Sequence, residues 1–201
     1  MTARSVRVLL MTAAFFAGLV LCFAVVLIVT GRLSTPVAQQ VAAIGGPFKL
    51  VDQNGRAVTD QDLKGHPFLV FFGFTHCPDV CPTTLADLAQ VMKSLGPDAE
   101  RVQVLFVTVD PERDTPEVLG KYVGAFDPRF VGLSGDAAAT QRAAREFKVF
   151  YEKRKTADGY SVDHSGQTYV IDAQGRLRLF VRPDRLASDL PEDLKTLLKS
   201  G

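Results

Sequence analysis

Residues 68–74 (FLVFFGF) form an almost unbroken apolar run, and this run constrains the fold more than any other feature of the sequence. A strand that is apolar at nearly every position, rather than at alternate ones, is typical of a strand buried on both faces of its sheet. A second apolar run follows at residues 102–109, after a segment with helical spacing of its apolar positions. Two buried strands with a helix between them indicate an α/β fold.

Turn, cap and periodicity signals predict the other elements. Asn54-Gly55 and the turn at residues 172–175 each separate two short apolar runs, which is typical of hairpins. Thr115 followed by Pro116 is typical of a helix start. The elements predicted are strands at 48–51, 57–59, 68–74, 102–109, 131–133, 149–153, 168–171 and 177–181, and helices at 82–95, 116–126, 136–147 and 186–199. Their order predicts a thioredoxin-like α/β sandwich with an additional N-terminal hairpin.

Residues 8–31 contain no charged side chain. A helix of this length would measure about 36 Å, enough to cross a hydrocarbon core of about 30 Å. A cleavable signal peptide is the alternative, but the run is longer than the usual apolar region of such peptides, and no small-residue cleavage pattern ends it. We therefore predict one transmembrane anchor at 8–31. It would follow a short cytoplasmic N-terminus at 1–7 and precede a tether at 32–46 and a domain at 47–201.

The distribution of charge predicts the orientation of the anchor and excludes one class of partner. Arg4 and Arg7 precede the apolar run and Arg32 follows it, which places the N-terminus in the cytoplasm and the domain outside by the positive-inside rule. Without these three arginines, 20 of the 23 basic residues remain against 22 acidic ones. A slightly acidic domain without a basic stripe is a poor candidate for binding nucleic acid.

Two of the three cysteines are placed for chemistry. Cys22 lies within the apolar run and is interpreted as a small buried hydrophobe. Cys77 and Cys81 follow the strand at 68–74 and lie where the next helix begins, at the sheet edge where α/β proteins collect reactive groups. Helical spacing would bring both sulfurs to one face, and a helix N-terminus favours the thiolate form.

Three kinds of site fit this cysteine pair. A structural disulfide is one, although a bridge that closes so short a loop stabilises little. A thioredoxin-like dithiol oxidoreductase is the second, but such enzymes typically have two residues between the cysteines, where this chain has three. A soft-metal site is the third, since two thiolates and an imidazole suit Cu(I), Cu(II) with added oxygen ligands, or zinc.

Three histidines are available to complete such a site. His66 precedes the central strand and is expected at the opposite edge of the sheet, on the surface. His76 neighbours Cys77, and adjacent side chains rarely point the same way, so it is the weaker candidate. His164 lies in the predicted loop before the strand at 168–171, which in thioredoxin-like folds packs against the cysteine loop. It is therefore our candidate for the third ligand.

Three segments together resemble the SCO/SenC family: residues 73–82 (GFTHCPDVCP), 109–114 (VDPERD) and 162–165 (VDHS). The resemblance extends from about residue 46 to the last helix and includes the single N-terminal anchor. The family is known for copper chaperones that assemble the binuclear copper centre of cytochrome c oxidase subunit II. The resemblance implies that Cys77, Cys81 and His164 bind one copper ion per chain, as Cu(I) or Cu(II). In the same resemblance, Asp110 matches an aspartate thought to influence the copper and redox behaviour of the site; the alternative interpretation of Asp110 is a turn or helix-cap carboxylate.

The same resemblance implies partners and a location. The recipient of copper would be cytochrome c oxidase subunit II, and another copper chaperone is the other expected partner. No mitochondrial transit pattern precedes the apolar run, which predicts a bacterial inner-membrane protein with its C-terminal domain in the periplasm. Three alternative functions use the same two cysteines: a thiol–disulfide reductase that maintains the cysteines of the oxidase, a redox sensor, and a peroxiredoxin-like peroxidase.

Overall fold

The structure, a computed structural model, describes residues 3–29, 44–157 and 159–200. The chain divides into two units, Met1–Ala42 and Ala43–Gly201. In the first unit, Ala3–Val29 forms one α-helix, α1. The anchor predicted at 8–31 is not confirmed, because no helix among the described residues combines the length and apolarity needed to cross a membrane. Most of the tether predicted at 32–46 lies outside the described residues.

The second unit contains nine strands and four further α-helices within its described residues. The strands are β1 (Lys49–Asp52), β2 (Ala57–Thr59), β3 (Phe68–Gly73), β4 (Gln103–Thr108), β5 (Val131–Ser134), β6 (Tyr151–Thr156), β7 (Gly159–His164), β8 (Thr168–Ile171) and β9 (Leu177–Val181). The helices are α2 (Val80–Leu95), α3 (Pro116–Gly124), α4 (Ala137–Glu146) and α5 (Leu186–Ser200). These bounds confirm each predicted element to within a few residues and add one strand, β7.

Among the described residues, seven strands form one sheet in the order β2-β1-β5-β4-β3-β8-β9. The three central strands are parallel, whereas β1, β2, β8 and β9 join through antiparallel pairings. All six residues of β3 are buried, as the apolar run at 68–74 predicts. This sheet, with helices on both faces, confirms the thioredoxin-like α/β class and the additional N-terminal hairpin.

The two faces of the sheet are covered by different helices. Side chains alternate along a strand, so Phe71 and Gly73 share one face and Phe72 lies on the other. Gly73 lies against Cys81 of α2, and α5 packs against α2 on the same side. On the opposite face, Phe72 contacts Phe147 at the end of α4, with ring centroids 5.3 Å apart. The core therefore has two layers, one on each face of the sheet, and the carboxyl end of β3 lies next to α2.

Strands β6 and β7 pair with each other, Tyr151 opposite His164 and Thr156 opposite Gly159, and form a two-stranded ribbon apart from the main sheet. The ribbon returns the chain to the carboxyl end of β3 immediately before β8. Ser165, the residue after β7, is fixed there, because its N–H donates to the carbonyl of Phe150 at 2.9 Å and its hydroxyl accepts from the N–H of Phe150 at 3.1 Å. The end of β7 thus has a defined position.

Candidate metal centre

The two cysteines lie on either side of the start of α2. Cys77 is in the loop after β3 and is half-buried, whereas Cys81 is in the first turn of the helix and is 0 % exposed. The N–H of Cys77 donates to the carbonyl of Phe74 at 3.2 Å, which bends the loop back toward the sheet. Both thiols are free. The sulfurs are therefore brought together by this turn and the first helical turn, and not by two positions on one helix.

His164 is the last residue of β7, so the prediction that it lies in a loop is wrong, although its predicted position beside the cysteines is correct. Its Nε2 lies 3.4 Å from Sγ of Cys81, and its Nδ1 lies 3.0 Å from the carbonyl oxygen of Ser165. A carbonyl only accepts, so Nδ1 carries the proton and the lone pair of Nε2 faces the sulfurs. This arrangement, with one ring nitrogen donating to a carbonyl, is how metal-bound histidines are commonly oriented.

The ligand atoms of Cys77, Cys81 and His164 all lie within 4.8 Å of one another. Two ligands on opposite sides of an ion with bonds of about 2.3 Å are about 4.6 Å apart, so the three atoms surround a space of the size that one ion requires. Two sulfurs and an imidazole nitrogen are a donor set for copper or zinc, not for calcium or magnesium. The residues therefore fit a single soft metal ion.

The two thiols differ in acidity. A hydrogen bond from Cys81, together with backbone N–H groups of Asp79 and Cys81, lowers the pKa of Cys77 from 9.0 to about 5, although partial burial opposes this change. The same hydrogen bond, burial and the nearby charge of Cys77 raise the pKa of Cys81. The metal-free pair is therefore one thiolate and one thiol at neutral pH. Binding a metal through both sulfurs must release the proton of Cys81.

This difference predicts selective alkylation. In a Cys22→Ser protein, we expect iodoacetamide to modify Cys77 at a rate that is half-maximal near pH 5 and falls below that pH as the thiolate is protonated. Cys81, which is buried and has a raised pKa, should remain unmodified. Mass spectrometry of proteolytic peptides after timed quenching gives both rates. A half-maximal rate near the ordinary thiol pKa of 9.0 would contradict the assignment of the thiolate to Cys77.

The other titratable candidates are outside the ligand group. The ring of His76 is half-exposed, with Nδ1 3.1 Å from Oγ1 of Thr75. His66 is exposed and precedes β3, at the opposite end of that strand from the cysteines. The carboxylate of Asp110 is buried, accepts from the hydroxyl of Tyr160 at 2.8 Å and pairs with Arg113. The influence of Asp110 on the metal site stays a prediction.

Two residues that build the site were not identified from the sequence. Asp114 is buried, and its carboxylate accepts from the N–H and hydroxyl of Thr75 at 3.0 and 2.6 Å and from the hydroxyl of Thr108 at 2.6 Å. These bonds tie the cysteine loop to the end of β4. Gly73 is the second, because a Cβ there would lie 2.8 Å from Sγ of Cys81. A glycine inside an otherwise apolar strand was the available signal.

The fold and the site together define a class: a thioredoxin-like protein with a Cys-Cys-His group that can hold one metal ion at the carboxyl end of its central strand. The family model described as SCO1/SenC matches residues 36–199, and the chain belongs to this family.

Individual relatives agree with this assignment. The chain is 41 % identical over 155 residues to the SCO2-like protein RP587 of Rickettsia prowazekii, covering 76 % of each. It is 47 % identical to Bradyrhizobium japonicum ScoI, whose structure has copper bound, with a TM-score of 0.73 over 77 % of this chain and 99 % of that one. Yeast Sco1 with copper bound is 31 % identical, with a TM-score of 0.73 over 79 % of this chain and 90 % of that one.

Proposed function

We propose that this protein is a copper metallochaperone that binds one copper ion through Cys77, Cys81 and His164 and delivers it to the binuclear copper site of cytochrome c oxidase subunit II. The observation that carries the proposal is the convergence of two sulfurs and one nitrogen within 4.8 Å. Copper is the metal in the solved structures of two relatives, ScoI and yeast Sco1. Membership of the SCO1/SenC family supports the oxidase as the recipient.

The unequal exposure of the ligands suits transfer of an ion between proteins. Cys77 is the more exposed sulfur and is ionised when free of metal, so it is the ligand that an incoming copper donor or recipient reaches first. Cys81 and His164 are held by α2 and by the carbonyl of Ser165, and retain the ion from the inner side. Transfer then proceeds by exchange of one ligand at a time with the partner, either subunit II or another copper chaperone.

The proposal includes a location in the bacterial inner membrane, with the copper domain in the periplasm. The support for it is the charge-free sequence at 8–31 and the arginines before it, together with similarity to a bacterial relative from Rickettsia. A domain confined to the membrane surface would search for an oxidase subunit in two dimensions. Retention of the protein in the membrane fraction after alkaline carbonate extraction supports an anchor, and release into the supernatant contradicts it.

Copper titration of the reduced protein tests the function. We expect one Cu(I) per chain by competition with a colorimetric chelator, and one Cu(II) with sulfur-to-copper absorption. Substitution of residues that only support metal ligands lowers metal affinity about 10–100-fold. Loss of a ligand itself should cost more, so we expect Cys77→Ala and Cys81→Ala each to lower copper affinity at least about a hundredfold. His164→Ala should lower the affinity for Cu(II) most. His66→Ala is the matched control, because it removes a histidine at the far end of β3. Absence of copper binding by the unsubstituted protein would refute the proposal.

A thiol–disulfide reductase is the second candidate. It is favoured by the pairing of a readily ionised thiol, Cys77, with a buried thiol of raised pKa, Cys81. This is the arrangement that attacks a disulfide and then resolves the mixed disulfide. Such an enzyme needs no His164. The same set of variants decides: a His164→Ala protein that loses copper and still restores oxidase assembly in cells favours the reductase, and failure to restore it favours copper delivery.

A further inference from the structure

Asp114 differs from the other buried aspartates of the described residues. Each of the others pairs with an arginine: Asp52 with Arg56, Asp110 with Arg113, Asp127 with Arg129 and Asp172 with Arg176. Within the described part of the chain, no arginine or lysine pairs with Asp114, and its one ion-pair neighbour is His76, with Nδ1 3.9 Å from the carboxylate and a side chain that is 54 % exposed. A buried carboxylate without a cation is costly, so Asp114 is unusual among these residues.

The surroundings of Asp114 suit a negative charge. The groups that approach the carboxylate are the N–H of Thr75 and the hydroxyls of Thr75 and Thr108, and all three can donate. An ionised carboxylate only accepts, so three donors satisfy it without a cation. A neutral amide could hold the same loop through most of these bonds. The hydrogen bonds explain why the loop is ordered, but they do not explain why the residue is charged.

The charge lies beside the metal ligands. Thr75, which Asp114 holds through two bonds, is two residues before Cys77 in the same loop. The negative charge of Asp114 is also close enough to Cys81 to oppose ionisation of its thiol. The neighbouring hydroxyl of Tyr122 is buried and has no hydrogen-bond partner, so it does not neutralise this charge. In a buried region of low dielectric, a fixed charge acts on the sulfurs and on any ion that they bind.

We propose that Asp114 is a positioning residue whose fixed negative charge shifts the metal centre toward Cu(II) over Cu(I) and the copper-free cysteine pair toward the disulfide. The effect on Cu(II) and Cu(I) rests on the proposed copper function, whereas the effect on the disulfide does not. A doubly charged ion gains more from a nearby negative charge than a singly charged one. A buried negative charge beside the cysteine loop opposes negative charge on the sulfurs of the reduced pair, whereas the disulfide carries no charge.

Asp114→Asn tests the charge with little change of shape. Oγ1 of Thr75 lies 3.1 Å from Nδ1 of His76, so its hydroxyl can turn to donate there and accept from the new amide. Asp172→Asn is the matched control, because it removes a buried carboxylate from the β8–β9 turn, whose Ala173 bonds Gly65 ahead of β3, away from the cysteines. Asp114→Ser, which is also neutral and keeps an oxygen acceptor, serves if the asparagine variant does not fold.

In the Cys22→Ser full-length protein, we expect Asp114→Asn to lower the ratio of Cu(II) affinity to Cu(I) affinity about tenfold, which is about 59 mV for one electron. Asp172→Asn should leave the ratio unchanged. A merely structural role would weaken both affinities together, so an unchanged ratio in a folded Asp114 variant overturns the proposal.

A copper-free measurement separates this inference from the copper function. Glutathione disulfide oxidises the cysteine pair. The Cys77–Cys81 bond forms, and the disulfide bond of glutathione breaks as it accepts two electrons. The two glutathione thiols that result take up the proton of Cys81 and one proton from solvent. We expect the Asp114 variants to show a disulfide equilibrium constant about threefold smaller than that of the unsubstituted protein. If the unsubstituted protein binds no copper, the proposed function fails, and this equilibrium alone decides: a shift supports the role of Asp114, and no shift overturns it.

Discussion

Replacing Gly73 with alanine is expected to remove tight copper binding and to lower the free energy of unfolding by about 1–3 kcal/mol, the usual cost of overpacking a core. A Cβ at this position would lie 2.8 Å from Sγ of Cys81 and 2.8 Å from the ring of Phe106. Both neighbours are 0 % exposed, so neither has free space into which it can move. Either the strand or the sulfur must shift, and a ligand displaced by a few tenths of an ångström no longer meets the other two.

Copper titration and urea unfolding of the Gly73→Ala protein measure the two effects. Gly124→Ala is the control, because a Cβ at the end of α3 would meet nothing within 4 Å. We expect that variant to keep both its copper affinity and its stability. Unchanged copper affinity in Gly73→Ala would show that the close approach of β3 to Cys81 is not needed for the site.

The strand that contains Gly73 was predictable from the sequence, but the need for a glycine in that strand was not. The apolar run at 68–74 predicted a strand buried on both faces, and β3 is such a strand, because burial of every side chain needs only a local pattern. The need for a glycine at one position depends on Cys81, eight residues later, and on Phe106 of the neighbouring strand. Periodicity carries no information about a contact of this kind. The strand was therefore predicted, but the position in it that has no space for a side chain was not.

Strand β7, the second strand of the ribbon, was missed for a different reason. Strand β7 has the sequence GYSVDH, in which only Tyr160 and Val162 are apolar, so its alternation of apolar and polar residues covers just four positions. Its partner β6 is exposed at five of its six positions. The two strands are stabilised by pairing with each other, and by Arg113 and Lys153 over the ring of Tyr160 at 3.9 and 4.7 Å. His164 was therefore expected in a loop, whereas the end of a strand gives it a more definite direction.

The role of Asp114 was also not visible in the sequence. Its motif, VDPERD, contributed to the family resemblance, but the sequence alone gave no reason to prefer it to Asp110 as the residue that acts on the metal site. The difference is visible only in the partners: Asp110 has Arg113 as a counter-ion, and Asp114 has two threonines. Which buried carboxylate keeps an uncompensated charge depends on residues that meet through the fold. Local sequence cannot supply that information.

Replacing Phe74 with alanine is expected to lower the free energy of unfolding by about 3–5 kcal/mol, a large part of the stability of a typical domain. Phe74 is 2 % exposed, and its ring lies 5.8 Å from the ring of His164 at an interplanar angle of 87°. The same ring lies 5.8 Å below the guanidinium of Arg113. Truncation therefore leaves a cavity beside the histidine, and we expect Cu(II) affinity to fall by about tenfold as the imidazole loses its orientation.

Phe130→Ala separates the loss of stability from the loss of orientation. Phe130 is 1 % exposed, but it lies just before β5, at the amino end of the parallel strands and away from the cysteines. Its truncation should cost a similar free energy of unfolding without altering the copper affinity of the folded protein. Phe74→Leu keeps apolar volume and loses the aromatic edge, so it should recover much of the stability and less of the Cu(II) affinity. If Phe74→Ala and Phe130→Ala bind Cu(II) equally well, His164 is held by Ser165 and the backbone of β7 alone. The ring of Phe74 would then stabilise the core without orienting the histidine.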